Sequence, residues 1–386
     1  LLGYRAVEDP TQKIERATPV TDLPRIGLNL IVKNESHVIE ELLRSVNPLI
    51  DTWTIVDTGS SDGTPDLILR IMQELGKPGR LFHRPWRDFG ANRTEALELA
   101  RGTATYHWVI DADDQVVGEL RFPELSLPSY LLRYGGKFTY LRQQLFRDDL
   151  PWRYVGVLHE YPSCGYEVEI GEITGTYYIE SRRLGDRNRD PNKYLKDALV
   201  LEAGLREEPH NPRYWFYLGQ SYFDAGVFPK ALDAYRRRVD MQGWLEEAAF
   251  AQLRVGLCLE KLGAPTREIT AALLEAWRMR PVRAEPLYHL GRILRLQGEN
   301  ELAAMFSRHA LAIPQPHDKL FVDGEVYDYG AADEFSVAAY YAQSDTVSRE
   351  GYTVCQRLAT REDVPPEIRS RAVANLEWYR KKYPHG

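Results

Sequence analysis

The sequence predicts an α/β domain, Rossmann-like with a mostly parallel sheet, followed by an all-α helical-repeat domain. Three observations predict it. Over the first half, short apolar runs alternate with segments of helical spacing, the pattern of strand and helix units that feed a parallel sheet. Polar, glycine-bearing loops follow those runs, where the ligands of such sheets bind. From Tyr194 onward the apolar period is purely helical, and glycines recur at Gly219, Gly256 and Gly291, intervals of 37 and 35 residues.

Ile26 to Val32 (IGLNLIV) is a near-continuous apolar strand followed by the polar Lys33-Asn34-Glu35. His37 to Val46 has helical spacing, with Val38, Leu42, Leu43 and Val46 on one stripe. Trp53 to Val56 is a second strand, Asp57-Thr58-Gly59-Ser60-Ser61-Asp62-Gly63-Thr64 a polar loop, and Pro65 to Leu75 a helix started by Thr64 as N-cap with Pro65 at its first position. Asp57 stands at the carboxyl end of its strand, where a carboxylate accepts from a base N–H or a ribose hydroxyl and loop amides meet an anion. The plain alternative is a capping turn in which Asp62 and Thr64 only satisfy backbone groups. Arg80 to Arg84 is a third short strand. Residues 86–93 then lead into a helix, Thr94 to Ala100, that ends at Gly102. Asn92 and Arg93 at its start are candidates for a diphosphate, with capping and a surface salt bridge as their ordinary role.

The strand Thr105 to Ile110 runs into WVIDADDQ, with carboxylates at Asp111, Asp113 and Asp114. Carboxylates this close repel one another and persist together where a hard divalent cation and its phosphate ligands neutralise them. Residues two apart on a strand share a face, so Asp111 and Asp113 are expected to converge while Ala112 turns inward. An acidic turn after a strand is the bland alternative. Tyr140 to Phe146 and Arg153 to His159 are predicted strands flanking Asp148-Asp149-Leu150-Pro151, and the second ends in His159-Glu160. A lone histidine near a strand end reads, by itself, as structural.

In this order, IVKNE, VDTGSSDGT, a helix start with Asn-Arg and a strand ending in DADD resemble a family 2 glycosyltransferase of the GT-A fold over roughly residues 25–180. The resemblance implies a nucleotide-sugar donor, UDP-linked by preference. Asp57 then contacts the nucleoside, Asn34 and Glu35 line its pocket, Asp113 binds the metal (Mn²⁺ or Mg²⁺), and Asp111 contacts ribose or metal. It also implies His159 as a metal ligand, because many GT-A enzymes return a histidine from a later strand and imidazole suits Mn²⁺. Inverting members carry an acidic motif after the metal strand that deprotonates the acceptor. Gly118 to Gly136 holds no clear copy, so Glu160 takes that place, with Asp148 or Asp149 behind it. The reaction implied is hexosyl transfer with inversion. A transferase-like scaffold without activity is one rival. A nucleotidyltransferase is another, but it would carry a glycine-rich basic loop where Lys33-Asn34-Glu35 stands.

Ser181 to Lys193 (SRRLGDRNRDPNK) has no apolar stripe. It reads as a linker, or as a lid whose Arg182, Arg183, Arg187 or Arg189 closes over the donor diphosphate and excludes water. Beyond it, Trp215, Leu218, Gly219, Tyr222, Gly226, Ala231 and Tyr235 fall at tetratricopeptide-repeat spacing. Leu287, Leu290, Gly291, Leu294, Gly298, Ala303 and Ala310 repeat it, Val255, Gly256, Leu259 and Gly263 give a degenerate copy, and Phe335 to Leu358 resembles an irregular pair. The expected layout is an extension over 1–24, a transferase domain over 25–180, a linker or lid over 181–193 and a helical domain over 194–386. Stacked hairpins hold peptides or another subunit. A protein, peptide or glycan acceptor and a homo-oligomer through the helical domain are therefore the expected partners. Val322 to Tyr329 reads as an exposed connecting loop, or an acceptor contact.

Composition agrees with a soluble globular protein: 386 residues, 44% hydrophobic, 27% charged, with a net charge of -7 that argues against nucleic acid as a partner. Three separated cysteines without a CxxC pair predict a reducing compartment with neither disulfides nor a zinc site. No apolar run approaches the roughly 20 residues that span a bilayer, and Leu1-Leu2-Gly3 is too short to be a signal peptide. A cytoplasmic protein is expected, with the natural start upstream because no initiator Met is present.

Overall fold

The computed structural model describes residues 24–135, 140–182 and 184–384. Of the predicted amino-terminal extension only Pro24 is among them, and Gly136 and Arg183 lie outside. The chain divides into two compact units between Asp190 and Pro191, so the charged stretch up to Asp190 folds with the first unit.

In the first unit β1 (Ile26–Val32), α1 (Ile39–Val46), β2 (Thr52–Asp57), α2 (Thr64–Glu74), β3 (Gly79–His83), α3 (Phe89–Ala100) and β4 (Tyr106–Val109) keep the predicted alternation. β1 pairs in parallel with β2 and β4, and β2 with β3. β1 is buried on both faces, as its unbroken apolar run requires, with Leu28 and Leu30 in one core with Ile55, Trp108 and Ile110. Its buried amide Asn29 donates to Ala96 O at 2.8 Å and ties the strand to α3.

Beyond β4 come β5 (Asp114–Glu119), β6 (Ser129–Tyr134), β7 (Tyr140–Arg147), β8 (Arg153–Val155), β9 (Tyr161–Ser163), β10 (Ile170–Glu172), β11 (Thr176–Ser181) and the short α4 (Asp186–Arg189). The sheet continues from β4 through β7, β6 and β11 to β5, becoming mixed, while β8 and β9 form a separate pair. The strand predicted to run from Arg153 to His159 stops at Val155 because Gly156 and His159 adopt φ of +111° and +54°.

The second unit is a run of helices: α5 (Lys193–Glu207), α6 (Pro212–Asp224), α7 (Phe228–Val239), α8 (Leu245–Lys261), α9 (Thr266–Met279), α10 (Glu285–Leu296), α11 (Asn300–Ala312), α12 (Ala331–Tyr340), α13 (Asp345–Thr360) and α14 (Pro366–Lys382). Helices adjacent in sequence pack on one another. The recurring glycines set their approach. A methyl group on Gly219 would come within 2.7 Å of the Tyr235 ring, one on Gly256 within 2.5 Å of Leu273 and one on Gly291 within 2.2 Å of Ser307 Oγ. Each glycine opens the first helix of a hairpin to the second. Val322 to Tyr329 is not an exposed loop: Val326 is buried and the Tyr327 hydroxyl donates to Glu285 at 2.6 Å as the chain enters α12. Among the described residues no helix is long and apolar enough to cross a membrane.

Gly219→Ala is expected to destabilise the full chain by about 1–3 kcal/mol, because the fully buried Tyr235 ring has no room to retreat. Urea denaturation checks this, and an unchanged midpoint would contradict the packing role.

Candidate active site

The carboxyl ends of β1 and β2 carry two loops that are hydrogen-bonded to each other. Asn34, at φ +57°, receives Ser61 N on Oδ1 at 2.8 Å, and its own N–H donates to Ser60 Oγ at 2.8 Å. Glu35 N donates to Thr64 Oγ1 at 2.9 Å and Ser36 N to Asp62 at 3.0 Å. Thr64 is therefore not the N-cap. Helix α2 includes it, Gly63 precedes it at φ +84°, and Asp62 accepts its N–H at 3.0 Å. Asp57 is buried and turned inward, accepting from Gly59 N and Ser60 N at 3.2 Å, with His83 Nδ1 at 3.3 Å. Asp62 and Thr64 accept backbone N–H groups of the two loops, and Gly63 stands at the N-cap. The exposed partner His83 was not foreseen.

The acidic residues do not share a strand face, because β4 ends at Val109 and Asp114 already begins β5. Residues between them turn, closed by Asp114 N donating to Asp111 O at 3.1 Å, with Ala112 buried inward as expected. The turn sends the three carboxylates to three different environments. Asp111 accepts from Arg93 at 2.5 Å and from Arg142 at 3.3 Å. Burial alone would raise its pKa, but the two guanidinium groups hold it below the usual carboxylate range. Asp114 is fully buried, accepts from the Tyr134 hydroxyl at 2.8 Å, and is pushed up to about 7 by burial and then by the charge of Asp111. Asp113 instead faces Glu35 and the chain after β11.

That chain is the predicted linker or lid, and it is docked over the acidic turn. Gly185 N donates to Asp113 Oδ2 at 2.8 Å, Arg182 Nε to Asp113 O at 3.0 Å, and His37 Nε2 meets Leu184 O at 2.9 Å. Arg187 lies 4.7 Å over the Phe89 ring, and Arg182 also pairs with Glu41. A methyl group on Gly185 would sit 3.2 Å from Glu35 Oε1 and 3.3 Å from Asp113 Oδ2, so both carboxylates flank the same glycine. Burial first, and then the charge of Asp113, raise Glu35 to about 7. Glu35 Oε2 and Arg182 Nη2 are buried without a hydrogen-bond partner among the described residues.

Arg93 joins the remaining parts. Its Nε donates to Glu160 at 2.7 Å while its Nη2 holds Asp111, and only about a tenth of its side chain is exposed (10%). Helix α3 begins earlier than predicted, at Phe89, with Asp88 accepting Ala91 N at 2.7 Å as N-cap. Asn92 and Arg93 consequently lie past the first turn. Asn92 is buried, with Oδ1 accepting from Arg87 N at 2.9 Å and Nδ2 donating to Pro85 O at 3.1 Å, so neither end is open to a diphosphate. Asp149 is not at the site either. Arg147 pairs with Tyr106 at the opposite end of β4, and there Asp149 is exposed on Arg147 at 2.6 Å while Asp148 accepts from His107 at 2.6 Å.

The expected metal ligands Asp111, Asp113 and His159 are not gathered. Among the described residues no three His, Cys, Asp or Glu side chains are placed to hold a metal. Asp111 already has guanidinium partners, and His159 sits exposed in the loop after β8. The pair that does fit a hard cation is Glu35 with Asp113, two carboxylates around one glycine with an unpartnered oxygen. Arg142, Tyr134 and Glu41 were not foreseen. Arg142 carried one signal, a cation in the middle of an otherwise ordinary strand sequence.

These features define the first unit as an α/β domain with a polar edge at its strand ends. Residues 30–125 match the family model described as Glycosyl transferase family 2, and the unit carries a domain of that family. The chain is 26% identical over 310 residues to a TPR repeat-containing protein of Synechococcus elongatus, covering 77% of this chain and 68% of that protein. It is 23% identical over 235 residues to the SPbeta prophage-derived glycosyltransferase SunS of Bacillus subtilis, covering 57% and 54%. With the lipopolysaccharide core biosynthesis glycosyltransferase LpsC of Rhizobium meliloti it shares 30% over 129 residues, covering 29% and 46%. The chain spans about half the length of these two glycosyltransferases. The helical unit agrees with the tetratricopeptide-like expectation.

The raised Asp114 carries a pH signature. Between an ordinary carboxylate value and about 7 the folded protein keeps a proton that the unfolded chain releases, so this group lowers stability as pH rises through that window. Asp114→Asn is expected to gain on the order of 2 kcal/mol relative to the wild type between pH 5 and pH 8. Denaturation at both pH values reads this, and a gap that does not change with pH would contradict it.

Proposed function

We propose that the chain is a glycosyltransferase that moves a sugar from a nucleoside-diphosphate donor, a UDP-sugar by preference, to an acceptor with inversion. The observation that carries this reading is the convergence of Glu35, Asp113 and Arg182 at the strand ends of a family 2 domain, beside Glu160 on Arg93. Glu35 and Asp113 would hold Mn²⁺ or Mg²⁺. Such an ion supplies charge neutralisation of the leaving diphosphate. Asn34 fixes the two loops beside the nucleoside, and Asp57 and His83 form the floor under it. Arg182, with an unpartnered Nη2, is the diphosphate contact from the docked segment.

Glu160 takes the proton of the acceptor nucleophile. As that nucleophile bonds to the anomeric carbon from the face opposite the leaving group, the bond from carbon to the diphosphate oxygen breaks, and its electron pair leaves with the diphosphate. Arg93 holds Glu160 in orientation through its Nε, and is a positioning residue. Arg182 and the docked residues 184–187 exclude water that would hydrolyse the donor. The acceptor is a protein, peptide or glycan, and the three free, buried cysteines support a cytoplasmic setting.

The scaffold reading draws on the inward-turned Asp57 and the doubly clamped Asp111. A panel of UDP- and GDP-sugars, followed by nucleoside diphosphate release with and without Mn²⁺, separates the two. One donor is expected to turn over slowly even without an acceptor. Asp113→Ala is expected to abolish that release with folding intact, and Glu160→Gln to lower transfer by about 10²-fold or more. An Asp113→Ala variant with full activity would reject the site, and a wild type that neither turns over nor is thermally stabilised by any donor would favour the scaffold.

A further inference from the structure

The order of strands gives the candidate site two sides. Asn34 and Asp57 stand at the ends of β1 and β2, whereas β7 borders β4 on the other flank. β7 runs antiparallel to β4, with Tyr106 opposite Arg147 and Trp108 opposite Leu145, so its first residues lie at the carboxyl end of β4, beside the acidic turn. A donor with its nucleoside on the β1 and β2 loops and its diphosphate at Asp113 leaves the β7 flank to the acceptor. That placement rests on the transferase reading.

Tyr140 and Arg142, two apart on β7, share a face, and Tyr134 on β6 lies directly opposite Tyr140. Tyr134 is fully buried, and its hydroxyl donates to Asp114, which fixes the ring. The guanidinium carbon of Arg142 lies 4.8 Å from the centre of that ring, and the Tyr140 ring 5.5 Å from it. A guanidinium held by its flat face directs its N–H groups sideways. One of them meets Asp111 at 3.3 Å, longer than the roughly 2.7–2.9 Å of a full charge-assisted bond, while Arg93 holds the other oxygen of Asp111 at 2.5 Å. Solvent reaches 37% of the Arg142 side chain against 10% of Arg93, so Arg93 is enclosed by the fold and Arg142 faces a ligand.

Glu160, Arg93, Asp111 and Arg142 form one chain of ion pairs, with the candidate base at one end and Arg142 at the other. An acceptor that gives its hydroxyl to Glu160 therefore lies beside a second, fixed polar group. The planar fork of Arg142 matches a carboxylate or a phosphate, and the Tyr134 ring has already set its position, which lowers the cost of ordering it on binding. An uncharged acceptor covering Arg142 would take the cation out of water without offering it a counter-charge. Tyr140 is 43% exposed on the same face, and the negative face of its ring attracts the C–H groups of a sugar. An anion and a ring of C–H groups side by side describe an acidic sugar.

We propose that Tyr140 and Arg142 form the acceptor subsite and select a glycan whose accepting sugar carries a carboxylate or a phosphate. The anion accepts two N–H groups of Arg142, the sugar ring lies against Tyr140, and the attacking hydroxyl is at Glu160.

Ligand-observed NMR titration of the full chain without donor tests it, and it needs no turnover, so a failure here is distinct from a failure of the donor panel. Methyl β-D-glucuronide is expected to bind at least about tenfold more tightly than methyl β-D-glucoside, and Arg142→Gln to remove that margin, as loss of a charge-assisted pair implies. Tyr140→Ser is expected to weaken both glycosides by about the same factor and to keep the margin. Equal binding of the two glycosides, or a margin that survives Arg142→Gln, would overturn the proposal. If Arg142→Gln does not fold, unchanged binding of both glycosides in Tyr140→Ser overturns it. Glucose 6-phosphate is expected to bind more tightly than inorganic phosphate, and equal binding of those two would overturn the sugar part in favour of a small-anion site. Tighter binding of hexaglutamate than of the glucuronide would overturn the glycan in favour of an acidic polypeptide.

Discussion

One buried guanidinium, that of Arg93, governs the arrangement of the first unit. It leaves α3 with almost no access to solvent, holds Asp111 from the turn after β4 and Glu160 from the loop after β8, and lies 5.7 Å from the centre of the Tyr154 ring. A buried cation without partners is strongly destabilising, so both loops must bring a carboxylate to it. Gly90 on the same helix lets the loop come close enough, because a methyl group there would meet Gly156 O at 2.2 Å. The position of the candidate base therefore follows from packing around α3.

The same constraint explains how three carboxylates in four residues coexist. Asp111 stays charged between Arg93 and Arg142. Asp114, buried beside that charge, holds its proton up to about 7. Asp113 is left to face outward, where Glu35 and the amide of Gly185 meet it. A cation was the sequence-level explanation for the cluster. Two arginines and one proton account for Asp111 and Asp114, and Glu35 with Asp113 is the pair proposed to meet a cation.

Much of the fold was legible because its signals are local. An unbroken apolar run fixed β1 to the residue, and helical spacing placed the hairpin glycines that meet Tyr235, Leu273 and Ser307. The site was less legible because its contacts are long-range. Nothing near Glu35 shows that it will meet Asp113, and nothing near Arg142 shows that it will reach Asp111. Asn92 looked like a phosphate contact because the helix start was placed too late, past the cap that Asp88 supplies. Asp149 stood behind Glu160 as a candidate base, but β7 runs antiparallel to β4 and carries it to the far end of that strand. His159 was read as the end of a strand, whereas its left-handed backbone places it in a loop.

The central claim is that Glu35 and Asp113, and not His159, form the cation and diphosphate focus of the site. Electron paramagnetic resonance titration of Mn²⁺ into the full chain with a saturating nucleoside diphosphate tests it most directly. The account predicts that Glu35→Gln loses the bound ion while His159→Ala keeps it at wild-type affinity. Loss of the ion in His159→Ala, with retention in Glu35→Gln, would contradict it.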